Sequence, residues 1–239
     1  MKQKFKEICY VKKLRLKKEL YFNLLSSYGL LLLLSLLFFL IPKGTIESQV
    51  NLFQFPDLFA LFYGITLLGD GWVLAVLLIF LLLFGKQFGI RRKDISAYFI
   101  GALYLIIMVL LFKNVVFKEA LRPVAYFTQL PSHWDPSHFP IRFHRYHSFP
   151  SGHTATGALV GFFLMRFCKN RWKRLGMFSM ILLVGYSRVF LFQHFLTDVA
   201  FGLLMGWMCV VMGYLTIYHN SFNRWYFWKS QRRVLSFKL

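Results

Sequence analysis

The sequence predicts an all-α polytopic membrane protein with six transmembrane helices, and three observations predict it. First, its 239 residues are 57% hydrophobic and 20% aromatic, beyond the usual composition of soluble domains. Second, the apolar residues fall in long uncharged runs. The first run, Leu20 to Pro42, is long enough to cross a bilayer core. Third, the basic residues sort by side. Eight precede Tyr21, four lie at Lys86 to Lys93, five at Arg166 to Arg174 and five after Asn223, so 22 of the 29 Lys and Arg share one face. Lys43, Lys113, Lys118, Arg122, Arg142, Arg145 and Arg188 occupy the other. Such asymmetry puts both termini in the cytoplasm. The net charge of +20 therefore reports topology and attraction to anionic lipid, and no nucleic-acid partner is expected.

Taken in order, residues 1–19 suit a basic amphipathic helix on the inner leaflet. Leu20 to Pro42 is the first span, too long for a signal-peptide core and without a small-residue cleavage site. Pro42 to Asp57 is an external loop. Leu58 to Gly69 is too short to cross and is expected to be interfacial or re-entrant. The second span, Gly71 to Gly85, ends in the basic loop KQFGIRRK. The third, Ile95 to Phe112, delivers Lys113 to the outer side. A long external loop, Pro123 to Pro150, precedes the fourth span, which runs from Ser151 to the basic loop near Arg166. The fifth runs from Leu175 to Ser187 and the sixth from Phe195 to Tyr218. No linker or repeat divides the chain, so residues 20–218 are expected to form one membrane domain, with a basic cytoplasmic tail over 219–239. The fourth and fifth spans are short between their charged residues. That places His153 and Arg188 at or just inside the membrane surface, where an ionisable group is costly unless it serves a site.

The chemistry concentrates in SRVFLFQHFLTD, Ser187 to Asp198. His194 and Asp198 are four apart, so a helix after His194 lets the carboxylate accept the Nδ1 proton and leaves Nε2 as a nucleophile. Arg188 stands six residues earlier, which requires a turn to bring its guanidinium back over the imidazole. Upstream, FPSGHTAT at Phe149 to Thr156 places Ser151 and Gly152 just before a helix, where hydroxyl and backbone donors meet the positive end of the dipole. Further upstream, KNVVFKEALRP at Lys113 to Pro123 supplies cations. Lys113 or Lys118, with Arg122 and Arg188, concentrate the positive charge that a phosphoester needs.

These three segments, in this order, resemble the signature of the type 2 phosphatidic acid phosphatase superfamily. The likeness extends to its bacterial membrane branch, which includes lipid A 1-phosphatases and undecaprenyl-diphosphate phosphatases. The resemblance implies a lipid phosphatase of the inner membrane with a periplasmic active site. His194 would be the nucleophile that forms a phosphohistidine, with Asp198 orienting it, and His153 would act as acid and then as base. Lys113, Arg122, Ser151, Gly152 and Arg188 would bind the phosphate. The implied partners are a membrane lipid phosphate, such as undecaprenyl diphosphate or a lipid A phosphate, and the bilayer itself. No cofactor is implied. Lipid-to-lipid phosphotransfer, and phosphatidylglycerophosphate or phosphatidic acid hydrolysis, fit the same motifs. A silent transporter or scramblase would have no chemical need of His153, His194 and Asp198 together.

One departure concerns the first motif. The superfamily usually places its lysine seven residues before the arginine, but here that position is Val115. Ideal helix geometry would favour Lys118, on the same face as Arg122, over Lys113. A two-residue bulge before the Arg122–Pro123 pair would restore the reach of Lys113, which is the expected ligand. The external loop holds His133, His138, His144 and His147, without an i,i+4 pair and with Asp135 as its carboxylate, so no metal site is expected. Arg142 and Arg145 could hold a second phosphate. Cys9, Cys168 and Cys209 have no ligand spacing and no disulfide is expected. The sequence does not specify an oligomeric state.

Overall fold

The computed structural model describes residues 40–50, 56–127 and 143–235. The expected first span and basic N-terminal segment, and loop residues 128–142 with His133, His138 and Arg142, lie outside them. The described residues are all helical: α1 (Thr45–Val50), α2 (Pro56–Leu67), α3 (Trp72–Phe84), α4 (Arg92–Leu111), a π-helical turn (Phe112–Val116), α5 (Pro123–Tyr126), α6 (Gly152–Met165), α7 (Arg171–Phe190) and α8 (Leu196–Leu235).

Local sequence sets the helix starts. Asp94 accepts the Arg91 N–H at 3.3 Å and its Nε at 2.9 Å, closing the first turn of α4. Ser151 caps α6 by accepting the Thr154 N–H, and Asn170 caps α7 by accepting the Trp172 N–H at 2.8 Å. Side-chain oxygens thus satisfy donors that no helix can satisfy internally.

Among the described residues, two helices are long and apolar enough to cross a membrane alone: Arg92–Val116, with mean hydropathy 2.5, and Leu196–Tyr218, with 1.8. Leu58–Leu67 and Trp72–Phe84 qualify only together, as a pair bent by 54°. The break falls at Leu68 to Gly71, so the short segment expected to be interfacial or re-entrant is one arm of a bent apolar pair, a broken span or a re-entrant loop. Helix α6 has 14 residues, about 21 Å at 1.5 Å per residue, well under a hydrocarbon core of about 30 Å. The segment expected to be a short fourth span is accordingly a short apolar helix. Helix α8 has 40 residues and continues without a break to Leu235, through residues expected to form a cytoplasmic tail after Tyr218. The segment after Tyr218 is free of Pro and Gly, so nothing in it stops a helix.

Val76, Ile79, Leu82, Leu83, Ile107 and Leu110 are all more than half or nearly half exposed. Such an apolar flank on α3 and α4 is what a lipid-facing surface requires. Inside, α8 packs against α4 and α6 along a seam of small residues. A Cβ at Gly202 would sit 2.6 Å from the Ser151 carbonyl oxygen, and one at Gly206 would sit 2.3 Å from that of Ala155. Only glycine lets these backbones approach so closely, the usual device where lipid removes the hydrophobic drive between helices. On the basic side, buried Asp94 also binds Arg166 Nη1 at 2.8 Å and the Tyr218 hydroxyl at 2.6 Å. It ties α4, α6 and α8 together opposite the candidate site.

Candidate active site

The site forms at the other end of the bundle, where α6 begins and α7 turns into α8. The turn is built on the carbonyl of Arg188, which accepts the N–H groups of Gln193 at 2.9 Å and His194 at 3.2 Å. Phe192, inside the turn, has φ +58, a left-handed conformation that costs a bulky residue free energy and persists where packing enforces it. Its ring is buried and stacks on Phe127, with centroids 5.4 Å apart. This is the turn that the spacing of Arg188 and His194 demanded.

Helix α8 then starts at Leu196 and brings Asp198 beside His194. Asp198 Oδ2 lies 3.4 Å from His194 Nδ1 and also accepts the Phe195 N–H at 3.0 Å and the Ser148 hydroxyl. Both His194 and Asp198 are about 1% exposed. Burial holds the His194 imidazole well below its ordinary pKa, and the charges of Arg122, Lys113 and Arg188, followed by the nearby His153, push it the same way. The ring is therefore neutral near pH 7, and with Nδ1 facing Asp198 its Nε2 carries the lone pair.

Around this imidazole stand the expected cations. The Arg122 N–H donates to the Arg145 carbonyl at 2.9 Å and its Nε to the Tyr146 carbonyl at 3.1 Å. Its Nη1 reaches Gln193 Oε1 at 3.0 Å. Burial lowers the pKa of Arg122, with Asp198 opposing that shift. Arg188 donates from Nη1 to the Thr66 hydroxyl at 2.8 Å and from Nη2 to Gln193 Oε1 at 3.5 Å. Lys113, the expected first-motif lysine, is placed by the π-helical turn. That wider turn carries Lys113 around to α6, where its Nζ lies 3.9 Å from the position of a Cβ on Gly152. His147 Nδ1 sits 2.7 Å from the Lys113 carbonyl. Helix ends at Val116, so the ideal-helix comparison with Lys118 does not apply; Lys118 is exposed.

Ser151 is held by contacts within the protein. Its hydroxyl contacts Thr154 Oγ1 at 2.8 Å and its N–H donates to the Asp198 carbonyl at 3.1 Å. It organises the site, while the first N–H groups of α6, at Gly152 and His153, stand at the positive end of the helix dipole. Arg145 is exposed and touches the site through its backbone.

Sequence reasoning missed several contributors. Thr66 is a buried hydroxyl in an apolar helix. Glu47 is 2% exposed and accepts the Leu196 N–H at 2.6 Å, capping the start of α8. Gln193 was legible only as the uncharged polar residue before His194. Among the described residues no three His, Cys, Asp or Glu side chains converge as a metal-ligand set. The donors assembled here are those of an anion cradle.

A family model described as the PAP2 superfamily matches residues 94–222, more than half the chain and all the residues named above from Lys113 onward. The chain belongs to the PAP2 superfamily. It is 26% identical over 199 residues to the lipid A 4'-phosphatase of Porphyromonas gingivalis, covering 75% of this chain and 77% of that one. A crystal structure of Aquifex aeolicus LpxE matches with a TM-score of 0.59 at 25% identity, over 72% of this chain and 93% of that one. A PAP2-type phosphatidylglycerolphosphate phosphatase from Bacillus subtilis shares the fold, with a TM-score of 0.53 at 23% identity, over 80% of this chain and 94% of that one.

Proposed function

We propose that this PAP2 protein is an integral membrane phosphatase that removes phosphate from a membrane lipid at the outer face of the inner membrane. The observation that carries the reading is the convergence of Lys113, Arg122 and Arg188 on a buried neutral His194 held by Asp198. Three cations at one buried point are unfavourable unless an anion joins them. A nucleophile set among them attacks that anion.

In the proposed reaction His194 Nε2 forms a bond to phosphorus as the bond to the lipid oxygen breaks in line, and His153 gives the leaving oxygen its proton. The phosphoryl group is then on His194. Water attacks phosphorus from the vacated side, passing a proton to His153, and the N–P bond breaks to restore the imidazole. Asp198 stabilises the charged ring while the phosphoryl group is attached. Lys113, Arg122, Arg188 and the N-terminus of α6 bind the three equatorial oxygens, whose charge the transition state shares. This sequence has no step that requires a metal.

The proposed substrate is a lipid A phosphate, supported by the match to the Porphyromonas gingivalis lipid A 4'-phosphatase over three quarters of the chain. Undecaprenyl diphosphate carries the same reacting group. The test is phosphate release by the purified protein in detergent from a panel of lipid phosphates, with excess chelator and with an acceptor lipid added in parallel. Release from a lipid A phosphate, unchanged by chelator, is expected. Failure with every lipid, or strict dependence on added metal, would overturn the reading, and phosphate appearing on the acceptor would make the protein a transferase. Labelling of a cysteine placed at Ser137 by an impermeant reagent in intact cells tests the outward orientation.

A further inference from the structure

We infer that Gln193 is a phosphate-binding residue, its side-chain Nε2 donating to a phosphoryl oxygen alongside the arginines. This inference rests on the phosphatase reading above and adds a ligand at Gln193, a position inside SRVFLFQHFLTD to which the sequence reading gave no role.

The side chain is 2% exposed, so bulk water does not satisfy it. Its Oε1 takes Arg122 Nη1 at 3.0 Å and Arg188 Nη2 at 3.5 Å, and its backbone carbonyl takes Arg122 Nη1 at 3.3 Å. Guanidinium groups only donate, so the atom facing both must be the carboxamide oxygen. The orientation of the amide is thereby fixed, and Nε2 is turned away from the arginines. That nitrogen is buried and has no acceptor among the described residues. Arg188 Nε is orphaned in the same way. Two buried donors without acceptors, one on a residue adjacent in sequence to His194 and the other on an arginine bonded to it, are costly in an empty site. An anion at His194 supplies the missing acceptor for both.

The carboxamide combines two tasks. Its oxygen lies between two guanidinium groups that would otherwise repel each other, and its N–H groups remain available to the phosphate. Glutamate could perform the first task and not the second. Because Gln193 shares the α7–α8 turn with His194, the donor and the nucleophile move as one unit.

The experiment uses Gln193→Glu and Gln193→Met in the full-length protein, read by orthovanadate affinity and by kcat/KM on a lipid phosphate. Loss of a hydrogen bond to a charged group weakens binding by roughly 10- to 100-fold, and a loss of that order is expected in both variants. Gln193→Glu keeps the acceptor for the arginines and so should retain the unfolding temperature; Gln193→Met, of similar shape, is the second variant should glutamate disturb folding. If Gln193→Glu keeps wild-type vanadate affinity while Gln193→Met loses it, Gln193 only positions the arginines and the inference is wrong. It is equally wrong if both folded variants bind vanadate as the wild type does. Vanadate reads the pocket directly, so wild-type protein that binds it yet hydrolyses no lipid would count against the phosphatase reading alone. Wild-type protein that binds no vanadate would overturn the inference itself.

Discussion

Asp198 holds His194 with the same carboxylate oxygen, Oδ2, that receives the Phe195 N–H and the Ser148 hydroxyl. The carboxylate is therefore anchored from two sides before any substrate arrives, and its 3.4 Å approach to Nδ1 fixes the ring rather than supplying the reacting atom. This orders the expected losses. His194→Ala should abolish phosphate release and any phosphoenzyme. Asp198→Asn should cost less, because it disturbs orientation and leaves the nucleophile. Ser148→Ala removes one of several hydrogen bonds and should lower kcat by several-fold, about 1 kcal/mol, with little change in KM. Appreciable phosphate release by the His194 variant would refute the assignment.

Burial of a neutral His194 also links stability to pH. Its folded pKa is depressed, so below the unfolded value of about 6.5 the unfolded chain binds a proton that the folded chain does not. The contribution is fully present above that value and declines as pH falls, at about 1.4 kcal/mol per pH unit for one proton. Unfolding temperature in detergent should therefore drop between pH 7 and pH 5, and His194→Gln should have a shallower slope. Parallel slopes for the two proteins would show that His194 is not the linked group.

The two candidate lysines of the first motif separate cleanly. Lys113 Nζ points at the N-terminus of α6, whereas Lys118 is exposed beyond the π-helical turn. Lys113→Met should lower kcat/KM by roughly 10- to 100-fold, the loss of one charge-assisted hydrogen bond to phosphate. Lys118→Ala should lie within about twofold of wild type, as most surface substitutions do. A reversed pattern on any hydrolysed lipid would move the motif-one assignment to Lys118.

The helices, the brevity of the one that follows Ser151 and the grouping of the motif residues were legible because each leaves a local mark: an uncharged run, a capping Ser151 before a helix, a four-residue spacing from His194 to Asp198. The position of Lys113 was only half legible. A helical wheel presumes a uniform period, and the π-helical turn that changes it begins within FKNVV, a stretch with no Pro or Gly to announce it. Thr66, Glu47 and Gln193 were illegible for another reason. Their roles depend on partners as far away as 149 residues, as in the Glu47 cap on Leu196, and no local pattern encodes such a contact.

Gly69 extends that lesson to a residue outside every motif. It lies in the break between α2 and α3, and a Cβ there would come 2.5 Å from the carbonyl oxygen of His153 and 2.7 Å from Val184 Cγ1. Its backbone is not in a left-handed conformation, so the constraint is space alone. An added methyl must displace either the α2 arm, which carries Thr66 and thus the anchor of Arg188, or the first turn of α6, which carries His153. Either movement is on the scale at which misplacing a catalytic group by about 1 Å can cost roughly 100-fold. Gly69→Ala should therefore lower kcat by about tenfold or more while every motif residue is intact. Gly64→Ala, in the middle of α2 with open space around it, is the control; it gains helix propensity and should keep wild-type kcat. Equal activity in the two variants would mean that the broken α2–α3 unit can shift without disturbing His153 or Arg188, and would remove that unit from the site.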